Sequence, residues 1–263
     1  MINLPNPPKI VKKEGNKALF EIEALYPGYG VTIGNSLRRV LLSSLEGAAV
    51  TQMKIKGVSH EFSTIAGITE DVITIMLNLK QLRFKLFNTS EPQKATLKVR
   101  GEKEVKGSDF ELSSQVELIN KNCHIATLTT KSSELEMEIQ IEKGIGYSPR
   151  EGRTKEKLEI GAIPLDAIFT PVKRVSYRIE NMRVGERTDY DRLFLEVETD
   201  GVISPEEAML QSSEILVNHF SLLAETLKPK AVPVAREAQK KEKKPDKKKK
   251  VKHEKVKKRK KTK

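Results

Sequence analysis

The chain has 263 residues, 48 Lys and Arg against 36 Asp and Glu, a formal net charge of +12 and one cysteine. Residues 236–263 hold 17 of the basic residues and four acidic ones, a net of +13, so residues 1–235 carry −1, which argues against a basic DNA-binding body. Cys123 alone allows neither an intrachain disulfide nor a zinc knuckle, His60, His124, His219 and His253 are too scattered to suggest a metal site, and no apolar run approaches a signal core or the ~18 residues of a membrane span.

The first periodic segment follows the glycine-rich stretch Gly28–Gly34, read as a tight entry turn. From Asn35, apolar positions at Leu37, Val40, Leu41 and Leu45, with Ser44, fall on one helical face. Thr32 or Asn35 would cap this helix and Gly47 would stop it. Alternation at Met53 and Ile55 then marks a strand. Thr69 is read as the cap of a short helix whose face carries Val72, Ile75, Met76 and Leu79. Leu82, Phe84 and Leu86 alternate with Arg83 and Lys85 as a further strand.

Residues 88–122 are too polar and irregular for strand assignment. Leu135, Met137, Ile139 and Ile141 alternate with Glu136, Glu138, Gln140 and Glu142 in a half-buried strand, and Leu193, Leu195 and Val197 repeat the pattern. A last helix runs from Ser204 to Leu227, with Ser204 as N-cap, Pro205 in the first turn and Glu207 completing a capping box. In it, Met209, Ser213, Leu216, Phe220, Leu223 and Leu227 follow a 4-3-4-3-4 spacing, the narrow seam of a helix packed on a helix. Leu210, Ile215, Val217 and Leu222 broaden the stripe, so an intermolecular face and a seat on the chain's own sheet both stay open. The pattern as a whole is α+β with a strand-rich middle.

No motif carries catalysis. The glycines at 28, 30 and 34 lack the G-x-G-x-x-G spacing and the Lys-Ser/Thr ending of phosphate loops, and Gly144-Ile145-Gly146 is no stronger. Asp189-Tyr190-Asp191 places two carboxylates two apart, as some magnesium sites do, but between Arg187 and Arg192 it reads better as a turn held by ion pairs. Arg38 and Arg39 point about 100° apart on the first helix, so at least one flanks the apolar stripe. A solvated face explains that, and so does a protein–protein anchor.

Residues 26–50, YPGYGVTIGNSLRRVLLSSLEGAAV, resemble the first block of bacterial-type RNA polymerase alpha subunits, the plastid-encoded ones included. VSHEFSTIAGITEDVITIMLNLK (58–80), EKGIGYSP (142–149) and IPLDAIFTPVKRVSYRIENMRVGERTDYDRLFLEVETDGVISPEEA (163–208) resemble later blocks, in register over about residues 10–228. The resemblance implies a discontinuous dimerisation domain, residues 1–50 and 175–228, of a sheet and two long helices. It implies an inserted strand-rich domain at 51–174, and residues 229–263 become a linker and a disordered basic tail.

It also implies an assembly role without catalytic residues, cofactor or metal in this chain, as a non-catalytic subunit of a nucleotidyltransferase. A homodimer would join through Leu37, Leu41, Met209, Leu216, Phe220, Leu223 and Leu227. Arg39, Leu42 and His60 match positions used against the beta subunit, and Lys80 and Leu165 match positions used against beta-prime, with leucine at 165 where valine is expected. Omega and sigma would complete the holoenzyme, in the cytoplasm or a plastid stroma, away from membranes. Where most family members continue into a DNA-binding helical domain, this sequence has the lysine-rich tail, so sequence-specific promoter readout is not expected. The tail would attract DNA non-specifically. The rival reading is a stand-alone nucleic-acid-binding protein that acts through that tail.

Overall fold

The computed structural model describes residues 2–87, 91–153 and 161–227; the expected linker and basic tail at 229–263 lie outside the described residues. In chain order the elements are β1 (Lys9–Glu14), β2 (Lys17–Leu25), α1 (Tyr29–Ser43), β3 (Glu46–Ile55), α2 (Val72–Leu79), β4 (Phe84–Leu86), β5 (Gln93–Arg100) and β6 (Lys103–Lys106). They continue with β7 (Phe110–Glu111), β8 (Val116–Leu118), β9 (His124–Leu128), β10 (Glu134–Ile145), β11 (Tyr147–Ser148), α3 (Arg150–Arg153), β12 (Ala162–Pro164), β13 (Ala167–Ile168), β14 (Val172–Val184), β15 (Arg187–Thr199) and α4 (Pro205–Thr226). The fold is mixed α and β and rich in strands, as the alternation patterns require.

Among the described residues the two larger hydrophobic cores each form on one of the two larger sheets. The first sheet has the order β1-β2-β15-β14. Its inner face carries Phe20, Ile22, Leu193, Leu195 and Val197, and α1 and α4 cover it with Leu37, Leu41, Ala208 and Met209. Two hairpins of sequence neighbours, β1-β2 and β14-β15, build this sheet, and the β2-β15 pairing joins them across most of the chain. The second sheet has the order β7-β5-β10-β3-β4-β8, with β12 added to β3. Met53, Ile55, Leu97, Leu135, Met137, Ile139 and Ile141 face its core, which α2 closes with Val72, Ile75 and Leu79. Each such fully buried aliphatic side chain contributes about 1.5–3 kcal/mol.

Several local expectations are corrected. Helix α1 begins at Tyr29, so the glycine-rich stretch is its first turns and not an entry loop. Gly30 and Gly34 are there because the helix lies close on the sheet: a Cβ at Gly34 would sit 2.9 Å from Leu193 Cδ1 and from Tyr177 Cδ2. Neither Thr32 nor Asn35 caps the helix; Gly28, at φ 84, holds the N-cap position. Gly47 is a residue of β3, not a helix stop. In α2 the cap is Asp71, whose Oδ1 accepts from the Thr74 N–H at 2.8 Å, rather than Thr69. Ser204 does cap α4, accepting from the Glu207 N–H at 3.1 Å.

Residues 88–122 contain β5, β6, β7 and β8. Ala95, Leu97 and Val99 alternate there with Lys94, Thr96 and Lys98, and the polar residues on either side hide so short a pattern from a reading of the sequence. On the outer face of this sheet, cross-strand lysines and glutamates pair: Lys56 and Lys98 both reach Glu136, at 2.8 and 2.7 Å, and Lys94 reaches Glu138 at 2.7 Å. The Lys56 and Lys98 ammonium groups hold the Glu136 carboxyl down to about 2. This face neutralises itself locally, in keeping with the near-zero charge of residues 1–235.

Candidate partner-binding surfaces

Helix α1 carries the first surface. Its N-terminal N–H groups find their acceptor far away in sequence: Asp191 Oδ2, on β15, accepts from the N–H of Gly28 at 2.9 Å and of Gly30 at 3.0 Å. A buried carboxylate thus caps the positive end of the helix. This divides the Asp189-Tyr190-Asp191 motif: Asp189 does form the expected ion pair, two hydrogen bonds with Arg187 at 3.0 and 2.7 Å, whereas Asp191 has turned inward to α1. Asp191→Ala is expected to destabilise the chain by about 1–2 kcal/mol. Urea unfolding checks this, and a loss below about 0.3 kcal/mol would show that the cap is dispensable.

More than two helical turns further on, Arg38 is tethered to Asn35 Oδ1 at 3.1 Å, while Arg39 is exposed and no side chain among the described residues pairs with it. Leu42 is half-buried against the first core, and its carbonyl accepts from Thr170 Oγ1 at 3.4 Å. Arg39 and Leu42, three residues apart on α1, thus put an exposed guanidinium next to a half-covered apolar side chain.

The second surface lies on the strand-rich body. His60 is exposed, its Nδ1 3.2 Å from Ser63 Oγ. The Lys80 ammonium reaches Asp166 Oδ2 at 3.0 Å; Asp166 Oδ1 accepts from the Arg150 N–H at 3.0 Å; and the Arg150 guanidinium meets Glu61 Oε1 at 3.0 Å. This chain of contacts joins the end of α2 to the segment that holds His60. Sequence reasoning missed Glu61, Arg150 and Asp166, because an ion pair between loops leaves no local pattern. The Arg150 N–H and the Lys80 ammonium lower the Asp166 carboxyl below its ordinary value. Its contribution is therefore present above the ordinary carboxylate range and lost as pH falls through the lowered value.

Leu165 is corrected. It is 0% exposed in the second core, and its N–H donates to the Thr51 carbonyl at 2.8 Å, so its side chain has no surface to offer a partner.

The third surface is the seam of α4, and it divides in two. Leu37, Leu41 and Met209 are 4%, 0% and 9% exposed and belong to the chain's own first core, so their assignment to a face between copies is corrected. The reason is geometric: the first turns of α4 cross α1 and the sheet, where the seam finds partners within the chain. Leu216 is half-buried against the same core. Beyond it the helix leaves the body, and Phe220, Leu223 and Leu227 are 61%, 57% and 79% exposed, with Val217 and Leu222 exposed beside them. The inner half of the seam thus sits on the chain's own core, and the outer half is open.

Among the described residues no cluster of three His, Cys, Asp or Glu side chains could hold a metal ion, and no helix is long and apolar enough to cross a membrane.

A strand-rich body set between the two halves of a helix-covered sheet defines a class: residues 53–170 match the family described as the RNA polymerase Rpb3/RpoA insert domain. The likeness extends well past that body. Over 227 residues the chain is 46% identical to the DNA-directed RNA polymerase subunit alpha of Oceanobacillus iheyensis, which covers 85% of this chain and 72% of the relative. Over 232 residues it is 49% identical to the same subunit of Syntrophomonas wolfei subsp. wolfei, covering 87% and 73%. The chain belongs to the DNA-directed RNA polymerase subunit alpha family.

Proposed function

We propose that this chain homodimerises and that the dimer seats the beta and beta-prime subunits of DNA-directed RNA polymerase, contributing no catalytic group of its own. The exposed apolar half of α4 carries the reading. Five large apolar side chains on one projecting helix segment lose free energy to water unless another surface covers them, and a second copy of the same segment offers a matching stripe. In this reading residues 1–50 and 175–228 form the dimerisation domain and 51–174 the insert. Arg39, Leu42 and His60 face beta, and Lys80 faces beta-prime. Omega and sigma join the assembled core in the cytoplasm.

Co-expression of the full chain with the two large subunits tests the assembly role. Recovery of one stable complex supports it; a chain that purifies free of both would overturn it. Arg39→Ala is expected to leave the dimer intact and to weaken beta capture at least tenfold, since an unpaired arginine at an interface centre commonly contributes about 2 kcal/mol. Unchanged capture would remove Arg39 from the surface.

The +13 of residues 236–263 supports a second, sequence-independent role in attracting upstream DNA. Deleting those residues is expected to flatten the salt dependence of promoter binding, by about 0.9 in log–log slope for each phosphate that lysine no longer neutralises. An unchanged slope would exclude DNA as the tail's target.

A further inference from the structure

The two cores touch at a junction that the surfaces described above do not use. Arg83 follows α2 in the second body, and Asp200 follows β15 in the first. The Arg83 Nε lies 3.3 Å from Asp200 Oδ2, and the Asp200 side chain is only 5% exposed. The same guanidinium donates through Nη1 to the carbonyl of Lys80, the C-cap of α2, at 2.8 Å and to that of Leu82, just past the helix, at 3.0 Å. Arg83 is itself fixed: its N–H donates to Asn120 Oδ1 at 2.8 Å and its carbonyl accepts from Ile119 N–H at 2.9 Å.

Asp200 is held as firmly from its own side. Its Oδ1 accepts from the Val202 N–H at 3.0 Å, and its N–H donates to the Pro171 carbonyl at 2.9 Å, on the segment that returns the chain to the first sheet. Next to it, a Cβ at Gly201 would meet Asn16 of the first body at 2.8 Å and Ile119 of the second at 3.6 Å. One planar cation therefore ties a helix C-terminus in one body to a desolvated carboxylate in the other. The fork geometry of arginine allows that, and lysine lacks it.

We infer that Arg83 is a positioning residue: its clamp on Asp200 and on the end of α2 fixes where the Lys80 surface stands relative to the first core and the surface on α1. The clamp stands whether or not Lys80 meets a large subunit, so it is tested on the full chain alone. Burial pushes the Asp200 carboxyl up, and Arg83 and Lys173 are the cations that oppose this. Loss of Arg83 leaves a buried carboxylate poorly compensated, which makes it the more damaging of the two changes.

Hydrogen exchange read at each partner's opposite site decides the matter. Asp200→Asn is expected to speed exchange of the Leu82 and Arg83 amides about tenfold, and Arg83→Met to speed the Asp200 and Val202 amides about tenfold. Amides of β5 and β1 should stay unchanged, and the double variant should exchange no faster than the faster single one. Should Arg83→Met fail to fold, Arg83→Lys keeps the charge without the fork. It should leave Val202 protected while the amides at the end of α2 exchange fast. Effects confined to each variant's own side, effects that multiply in the double variant, or an Arg83→Lys chain protected at both sites would overturn the inference.

Discussion

Phe220→Asp is expected to yield a folded monomer at micromolar concentration. Phe220 is 61% exposed in the single chain, so the fold loses little by its replacement. Between two copies the same position lies midway along the exposed apolar half of α4. There the change forfeits about 2–3 kcal/mol of aromatic burial, and a carboxylate forced into a dry seam costs several more. Together about 4 kcal/mol or more is lost, roughly a thousandfold in dimer affinity. Light scattering beside a circular-dichroism spectrum separates association from folding. A dimer that persisted with native secondary structure would remove the α4 seam as the joining face. Leu41→Asp makes the contrast: at 0% exposed it breaks the first core itself, so it reports on folding and not on assembly.

Gly47→Ala is expected to be among the most damaging single-methyl additions in the chain. Register pairs Gly47 on β3 with Gly144 on β10, and Phe169 lies across this pair. A Cβ at Gly47 would meet the Phe169 carbonyl oxygen at 1.8 Å, and one at Gly144 would meet the Phe169 ring at 2.7 Å. The obstacle at Gly47 is backbone, which cannot rotate aside, so either the strand or the crossing segment must move. The cost is about 3 kcal/mol or more, seen as a lower urea midpoint or loss of soluble protein. Gly152, with nothing within 4 Å of its Cβ direction, should accept alanine within about 0.5 kcal/mol. Equal effects at the two positions would show that the crossing is loose.

What could be read in advance divides along physical lines. Periodicity found the inward faces of β10 and β15 and the helical stripe of α1, because burial repeats every two or every 3.6 residues and the sequence keeps that record. The Ser204-Pro205 start of α4 was legible for a different reason: a cap is a hydrogen bond between residues close in sequence. Resemblance placed Arg39 and Lys80, and the structure leaves Arg39 unpaired and ties Lys80 to Asp166.

The glycines misled, since a sequence gives no sign whether Gly30 and Gly34 serve a turn or let a helix approach a sheet. Leu165 and Leu41 carry the same chemistry whether they face a partner or the chain's own core, so only the fold could assign them. Asp191 and Asp200 act on residues far from their own in sequence, and no window of residues holds that information.

The cap that Asp191 provides to α1 also fixes an order of events during synthesis. Asp191 and Gly30 are 161 residues apart. At about 5–20 residues per second, β2 and α1 leave the ribosome roughly ten to thirty seconds before the strand that completes their sheet exists. In that interval the intervening body can collapse on its own local pairings, which shortens the effective loop that the first sheet must close. Until β14, β15 and α4 exist, the apolar stripe of α1 lacks the surfaces it packs on. A nascent chain stalled before β15 would expose that stripe, and its exposure time sets the demand on chaperones.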